Sequence, residues 1–256
     1  MTAGNILLEL IDKKKNGIKS FAVLIDPDKV DDLSSVIKLV NLCVENKVDY
    51  IFVGGSLIVN DNFSNVISTI KSNSNIPTII FPGNNIQIDP SADAILFLSL
   101  ISGRNPDMLI GQHVLSAPIL KRSKLEVIPT GYMLINSGNQ TSASYMSNTT
   151  PIPANKPTIA SSTAMAGEML GLQMIYLDAG SGAHEPVSQK IISNVKRCID
   201  IPLIVGGGIN SVGKANNAIE AGADLIVIGN AIEKNQSLLI GVSDKINSMN
   251  RALNIH

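Results

Sequence analysis

Three glycine-rich stretches and two aspartates are the parts of this chain best suited to chemistry. Leu203-Ile204-Val205-Gly206-Gly207-Gly208 runs an apolar segment straight into bare backbone, and Asp224-Leu225-Ile226-Val227-Ile228-Gly229-Asn230 repeats the arrangement. Each reads as a buried strand, a turn and the N-terminus of a helix. Such a terminus presents unpaired N–H groups and the positive end of the helix dipole, and glycine lets an anion approach without a Cβ in the way. Either loop alone is equally well read as an ordinary strand-to-helix turn; the two in succession favour a phosphate site. Asp178 stands directly before Ala179-Gly180-Ser181-Gly182. A carboxylate that close to a phosphate loop either serves a reaction, with general base the natural role, or caps the turn. Asp26 ends the apolar run Phe21 to Ile25, and Ser56 follows Tyr50 to Val53 and Gly54-Gly55. A carboxylate and a hydroxyl are oxygen donors, few in number. That suits Mg²⁺ shared with substrate phosphates better than an all-protein cage. The plainer alternative makes Asp26 a cap and Ser56 a small turn residue. Tyr132 can orient a hydroxyl or simply pack its ring. His113 and His184 have no partner at metal-ligand spacing and receive no chemistry, and His256 is terminal.

These residues need elements to place them. Short continuous apolar runs at 21–25, 50–53, 77–81, 94–99, 127–135, 174–177, 203–205 and 224–228 have the signature of parallel strands covered on both faces. Helical spacing recurs between most of them: Ile6 to Lys15, a helix carrying Val36, Ile37, Val40 and Val44 capped by Asp31 or Asp32, about Asn60 to Lys71, Asn105 to about Leu120, Pro157 to Leu170, Val187 to Cys198, and Ile232 to Leu253. Between the third and fourth strands, Pro82 to Asp93 is too short and too rich in Pro, Gly and Asn for a crossover helix. The expectation is an α/β (βα)8 TIM barrel, one domain over 1–256, with its third helix reduced to a loop. Ser137 to Lys156, rich in Ser, Thr, Asn and Pro, reads as an active-site loop within that domain. No short internal repeat is visible beyond the strand–helix unit.

Composition bounds the partners. The chain has 256 residues, 45% hydrophobic and 16% charged, with a formal net charge of −1. It can bury a large core and has no basic stripe to neutralise a nucleic acid. No run is long and apolar enough for a transmembrane segment, and the stretch from Met1 to Lys15 is too polar for a signal-peptide core. Cys43 and Cys198, far apart and without ligand spacing, read as buried reduced thiols, which implies a cytoplasmic protein.

Taken together, Phe21 to Lys29 (FAVLIDPDK), Phe52 to Ser56 (FVGGS), Pro129 to Tyr132 (PTGY), Tyr176 to Ala183 (YLDAGSGA), Val205 to Ile209 (VGGGI) and Ile228 to Asn230 (IGN) resemble the geranylgeranylglyceryl phosphate synthases, in particular the second of that family's two groups. The match is ordered, runs from about residue 20 to 235, and is most specific around Asp178. The resemblance implies a prenyltransferase in which the 3-hydroxyl of sn-glycerol 1-phosphate attacks C1 of geranylgeranyl diphosphate and expels diphosphate. It implies Mg²⁺ on Asp26 and Ser56. It implies that Tyr176, Leu177, Asp178, Ala179, Gly180, Ser181, Gly182, Gly207, Gly208, Gly229 and Asn230 cradle the glycerol phosphate, with Asp178 and Tyr132 at the reacting atoms. It also implies a homo-oligomer, dimer or hexamer, and at most transient membrane contact. The prenyl tail needs an apolar groove, for which Leu57, Ile58, Ile95, Phe97, Leu98 and Leu100 are candidates that also fit barrel core. Two positions depart from the pattern. Asp178 stands where many members carry Glu, and Leu24 stands where some first-group members carry a phosphate-contacting Lys. A phosphosugar isomerase-like barrel and a barrel that only binds a phosphorylated metabolite are the alternatives, since both share paired phosphate loops.

Overall fold

The computed structural model describes residues 5–253. The first helix, α1 (Ile6–Lys15), precedes eight parallel strands: β1 (Ser20–Ile25), β2 (Tyr50–Val53), β3 (Thr78–Ile80), β4 (Ala94–Leu100), β5 (Glu126–Leu134), β6 (Met174–Asp178), β7 (Leu203–Gly206) and β8 (Leu225–Ile228). They pair in sequence order and close through β1 and β8, with Ser20 opposite Leu225 and Val23 opposite Ile228. The outer helices are α2 (Leu33–Glu45), α3 (Phe63–Asn73), α4 (Gln112–Arg122), a short α5 (Ser142–Met146), α6 (Pro157–Met169), α7 (Gln189–Lys196), α8 (Val212–Glu220), a short α9 (Asn230–Lys234) and α10 (Gln236–Leu253).

Strand alternation divides the core in two, because successive side chains point to opposite faces. Outward residues such as Val23, Ile51, Ile95, Leu177 and Val205 pack under the helices, against Val36, Val40, Ile67, Ile191 and Leu239. Inward residues such as Ala22, Tyr50, Phe52, Leu96, Ile128, Tyr176 and Val227 fill the barrel. At the N-terminal end of the strands α1 plugs the barrel. Its Ile6, Leu7 and Leu10 join the inward cluster. Its first N–H groups, on Ile6 and Leu7, donate to Glu126 at 2.7 and 2.9 Å, which answers the orphan donors and the dipole together.

The expected missing helix is missing: residues 82–93 run from β3 to β4 as turns. The buried Gln87 ties this loop down, accepting from Gly83 N–H at 2.9 Å and donating to Gly55 O at 3.3 Å. Elsewhere the boundaries shift for local reasons. The helix expected from Asn60 begins at Phe63, because Asp28 holds the Val59 and Asn60 N–H groups at 2.9 and 3.0 Å. The one expected from Asn105 opens with a π-helical turn, Asp107–Gly111, before α4. The loop 137–156 contains α5, which Thr141 and Ser144 close with reciprocal capping hydrogen bonds, and Ile152 bridges to Ile135 beyond β5. Cys43 is buried as expected, but Cys198 is exposed, since α7 ends at Lys196 and the chain turns outward before Ile199. His256 lies outside the described residues.

Candidate active site

The C-terminal mouth of the barrel gathers the residues singled out above. Its floor is aromatic. The chain has five Phe and four Tyr, and four of these rings meet here. Phe81 stacks on Tyr176 with centroids 5.0 Å apart, Tyr132 stands edge-on to both at 5.6 Å, and Phe52 lies 6.4 Å from Phe81. Such pairs exclude water and lock one another's orientation.

Asp178, the last residue of β6, points inward onto this floor and is 6% exposed. Its Oδ2 accepts from the Tyr132 hydroxyl at 2.5 Å and its Oδ1 from Gly180 N–H at 2.7 Å. Burial raises its pKa above the usual carboxylate value, and the two hydrogen bonds pull the other way without cancelling it. Burial and the neighbouring carboxylate push both Tyr132 and Tyr176 well above the usual phenol value, so both keep their protons. Of the two readings of Tyr132, the ring packing is seen, and its hydroxyl donates to the Asp178 carboxylate.

The glycine loops lie against this carboxylate. Gly207 has φ +78°, and a Cβ there would fall 2.5 Å from Asp178 Oδ1 and 2.6 Å from Gly180 N. The Tyr176 hydroxyl lies against Gly206. Ala179 N–H donates back to Gly206 O at 3.1 Å, which fastens the β6 loop to the β7 loop. Among the described residues the N–H groups of Gly207, Gly208 and Gly229 have no backbone partner outside helices and strands, as an anion cradle requires. Asn230 donates to Ser181 Oγ at 2.9 Å, joining the β8 and β6 loops. Thr141 packs on Gly180 from the β5 loop. Leu24 does adjoin Gly229, where an added Cβ would lie 3.5 Å from the Leu24 side chain.

Leu177 does not join this group. Alternation along β6 turns it outward into the helix–barrel core, and Ala179 packs there too, so neither side chain faces the mouth. Ile95 is likewise core beneath the helices, whereas Leu57 is exposed at the rim. His184 is exposed, and His113 is buried with Nε2 3.1 Å from Ser99 Oγ.

Asp26 follows the last residue of β1 at the mouth. Its Oδ1 caps the 3-10 turn Pro27–Lys29 by accepting from Asp28 N–H at 3.2 Å. The same oxygen lies against Gly55, where a Cβ would come within 2.8 Å, so the carboxylate borders the loop that carries Ser56. Among the described residues no group of three or more His, Cys, Asp or Glu could hold a metal. A carboxylate bordering the loop that carries a hydroxyl supplies the few oxygen donors Mg²⁺ takes, the rest coming from water and substrate phosphates. Sequence reasoning missed Asp28, which shapes the β2 loop, and Lys29, whose Nζ lies 3.1 Å from Asp26 Oδ2 and 2.6 Å from Asn230 Oδ1. Their nearness in sequence to Asp26 was the one available signal.

Fold and site together define a TIM barrel whose carboxyl-end mouth pairs bare phosphate-type loops with a buried carboxylate. The chain belongs to the PcrB family, which it matches over residues 11–252. It is 53% identical over 238 residues to a geranylgeranylglyceryl phosphate synthase of Chitinophaga pinensis, covering 93% of this chain and 94% of that one. It is 44% identical over 233 residues to one of Pyrococcus horikoshii, covering 90% and 88%. Among solved structures it resembles the (S)-3-O-geranylgeranylglyceryl phosphate synthase of Thermoplasma acidophilum in complex with its substrate sn-glycerol-1-phosphate, at 31% identity and a TM-score of 0.89, covering 96% and 99%.

Proposed function

We propose that this chain is a prenyltransferase that joins sn-glycerol 1-phosphate to geranylgeranyl diphosphate, giving 3-O-geranylgeranylglyceryl phosphate and diphosphate. One observation carries the reading: a buried carboxylate sits in the mouth between apolar rings and glycine-loop N–H groups that have no backbone partner. The names of the relatives and the glycerol phosphate complex of the Thermoplasma protein support the choice of substrates.

The glycine loops after β7 and β8, with Ser181 and Asn230, would hold the glycerol phosphate by N–H and amide donors. With Leu24 apolar, that binding leans on backbone N–H groups. This sets the 3-hydroxyl toward Asp178. Asp178 accepts the hydroxyl proton as the bond from oxygen to C1 forms and the bond from C1 to the diphosphate oxygen breaks. Tyr132 fixes the carboxylate's orientation throughout. The aromatic floor excludes water, which would otherwise compete for an electron-poor allylic carbon. Asp26 and Ser56 would hold Mg²⁺. When bound, the ion offsets charge gathering on the departing diphosphate. The rim around Leu57 and Ile58 is where the prenyl chain would leave the mouth.

The test is incubation with radiolabelled geranylgeranyl diphosphate and each enantiomer of glycerol phosphate, with Mg²⁺ or with EDTA. Labelled ether should form with the sn-1 enantiomer and Mg²⁺. Absence of any prenylated product would overturn the reading, and equal turnover in EDTA would remove the metal from it.

A further inference from the structure

Lys29 stands between the two halves of the mouth, and nothing so far gives it a role. The 3-10 turn Pro27–Lys29 places it, with Lys29 N–H donating to Asp26 O at 3.0 Å. Its ammonium takes Asp26 Oδ2 at 3.1 Å on one side and Asn230 Oδ1 at 2.6 Å on the other. The Asn230 amide in turn donates to Ser181 Oγ at 2.9 Å. One flexible cation thus connects the carboxylate proposed for the metal with the loops proposed for the phosphate. With Oδ1 held by Asp28 N–H, Oδ2 is the oxygen that Lys29 occupies. A divalent ion arriving at Asp26 meets an ammonium already seated there, and the two repel. The Lys29 side chain is 40% exposed and carries its charge on a four-carbon stem, so it can leave. It needs an anion to go to. Two substrate anions near Asp26 and Asp178 would also leave the mouth strongly negative without a cation beside them.

We propose that Lys29 is a positioning cation: it holds Asp26 while the metal is absent, and passes to the phosphate oxygens of the diphosphate when metal and diphosphate bind. Metal binding is thereby coupled to arrival of the prenyl substrate. This rests on the assignment of the metal to Asp26 made above.

Two binding measurements test it without turnover: Mn²⁺ alone by electron paramagnetic resonance, and inorganic diphosphate with saturating Mg²⁺ by calorimetry. Lys29→Met, close in shape and uncharged, should bind Mn²⁺ about three- to fivefold tighter, the range for losing a partly exposed ion pair. It should bind diphosphate about tenfold more weakly, for losing a charge-assisted hydrogen bond. Lys29→Arg should move both values back toward wild type. A lysine that merely props the turn gives the opposite sign, since loosening Asp26 weakens the metal. Unchanged or weaker Mn²⁺ binding in a folded Lys29→Met protein therefore overturns the proposal. Asp26→Asn separates the two readings. If wild type binds Mn²⁺, Asp26→Asn does not, and Lys29→Met matches wild type, only the role of Lys29 falls. If wild type binds no Mn²⁺ with or without diphosphate, the metal assignment falls and takes this proposal with it.

Discussion

Asp178 is kept by two donors, the Tyr132 hydroxyl and Gly180 N–H, in a place whose burial disfavours its charge. Its raised pKa has opposite consequences for stability and for catalysis. In the folded chain the group binds its proton more tightly than in the unfolded chain. Stability is therefore lost as pH rises from the unfolded value of 3.8 through the folded one. At neutral pH the ionised carboxylate is a cost to the fold. Asp178→Asn removes it while keeping both contacts, because the amide oxygen can still accept from Gly180 and the amide N–H can donate to the Tyr132 oxygen. Thermal melts should show Asp178→Asn more stable than wild type at pH 7, with the gain vanishing in acid. The same variant should lose most of its kcat while calorimetry finds similar affinity for sn-glycerol 1-phosphate, since backbone N–H groups carry that binding. Near wild-type turnover would reduce Asp178 to a turn cap. Tyr132→Phe frees the carboxylate's orientation and also shows in the pH profile. It removes a hydrogen bond that lowers the Asp178 pKa, so the acid limb of kcat/KM should move to higher pH; an unmoved limb would dissociate Asp178 from the base role. The sequence made Asp178 and Tyr132 candidates separately. Their contact spans 46 positions and exists only because β5 and β6 pair in a register that sets Leu134 opposite Asp178.

The elements differ in how plainly the sequence declares them. All eight strands were legible, because a parallel strand covered on both faces must be apolar throughout. The absent helix after β3 was legible from chain length and breakers alone. What stayed hidden were contacts between loops that only barrel closure brings together, such as Asp28 on the β2 loop, Gln87 on Gly55 and Lys29 on Asn230. The direction of Leu177 was readable in principle from its alternation with Tyr176 and Asp178. The loop after β7 gives the sharpest test at this scale. Gly207→Ala must adopt φ +78° and set a Cβ against Asp178 and Gly180. Strain of about 1–2 kcal/mol is expected before any clash is counted, with binding of sn-glycerol 1-phosphate weakened as the cradle shifts. Gly213→Ala, six residues on in α8, meets nothing nearer than Ser211 Oγ at 4.0 Å. It should stabilise by roughly 0.5–1 kcal/mol through helix propensity and leave binding alone. Equal effects of the two substitutions on melting and calorimetric titration would show that the loop geometry is not what holds the phosphate.

The whole barrel repeats a device at its N-terminal end, opposite the site, that the sequence did not reveal as a repeat. Asp49, Asp93 and Asp224 each precede an even-numbered strand and accept an N–H at the start of the strand before it: Phe21 at 2.9 Å, Thr78 at 2.7 Å and Leu203 at 3.0 Å. Each also binds a lysine from the helical layer or its edge, Lys13 at 2.8 Å, Lys71 at 2.7 Å and Lys196 at 2.6 Å. Every such carboxylate ties two strands and a helix into a quarter of the barrel. Before β6 the equivalent residue is Gln173; its N–H donates to Pro129 O at 2.8 Å, as the three aspartate N–H groups do to their strands, but Pro129 has no N–H for a carboxylate to accept. The three differ in burial: side-chain exposure is 23% for Asp49, 35% for Asp93 and 5% for Asp224. Asp224 also holds Lys19 at 3.4 Å and lies at the β7–β8 pair that carries the phosphate loops at its other end. Asp224→Ala leaves a buried N–H without its acceptor and two half-buried ammonium groups without their partner. Breaking a fully buried pair costs about 3–5 kcal/mol. Since both lysines keep some water, roughly 2–3 kcal/mol is expected here. At about 2–4 °C per kcal/mol for a chain of this size, the melting temperature should fall by roughly 5–10 °C. Asp93→Ala, more exposed, should cost less. Below the transition both variants should keep wild-type kcat, because the barrel separates these carboxylates from the mouth. Asp224→Ala melting with wild type would show that backbone pairing alone closes the barrel.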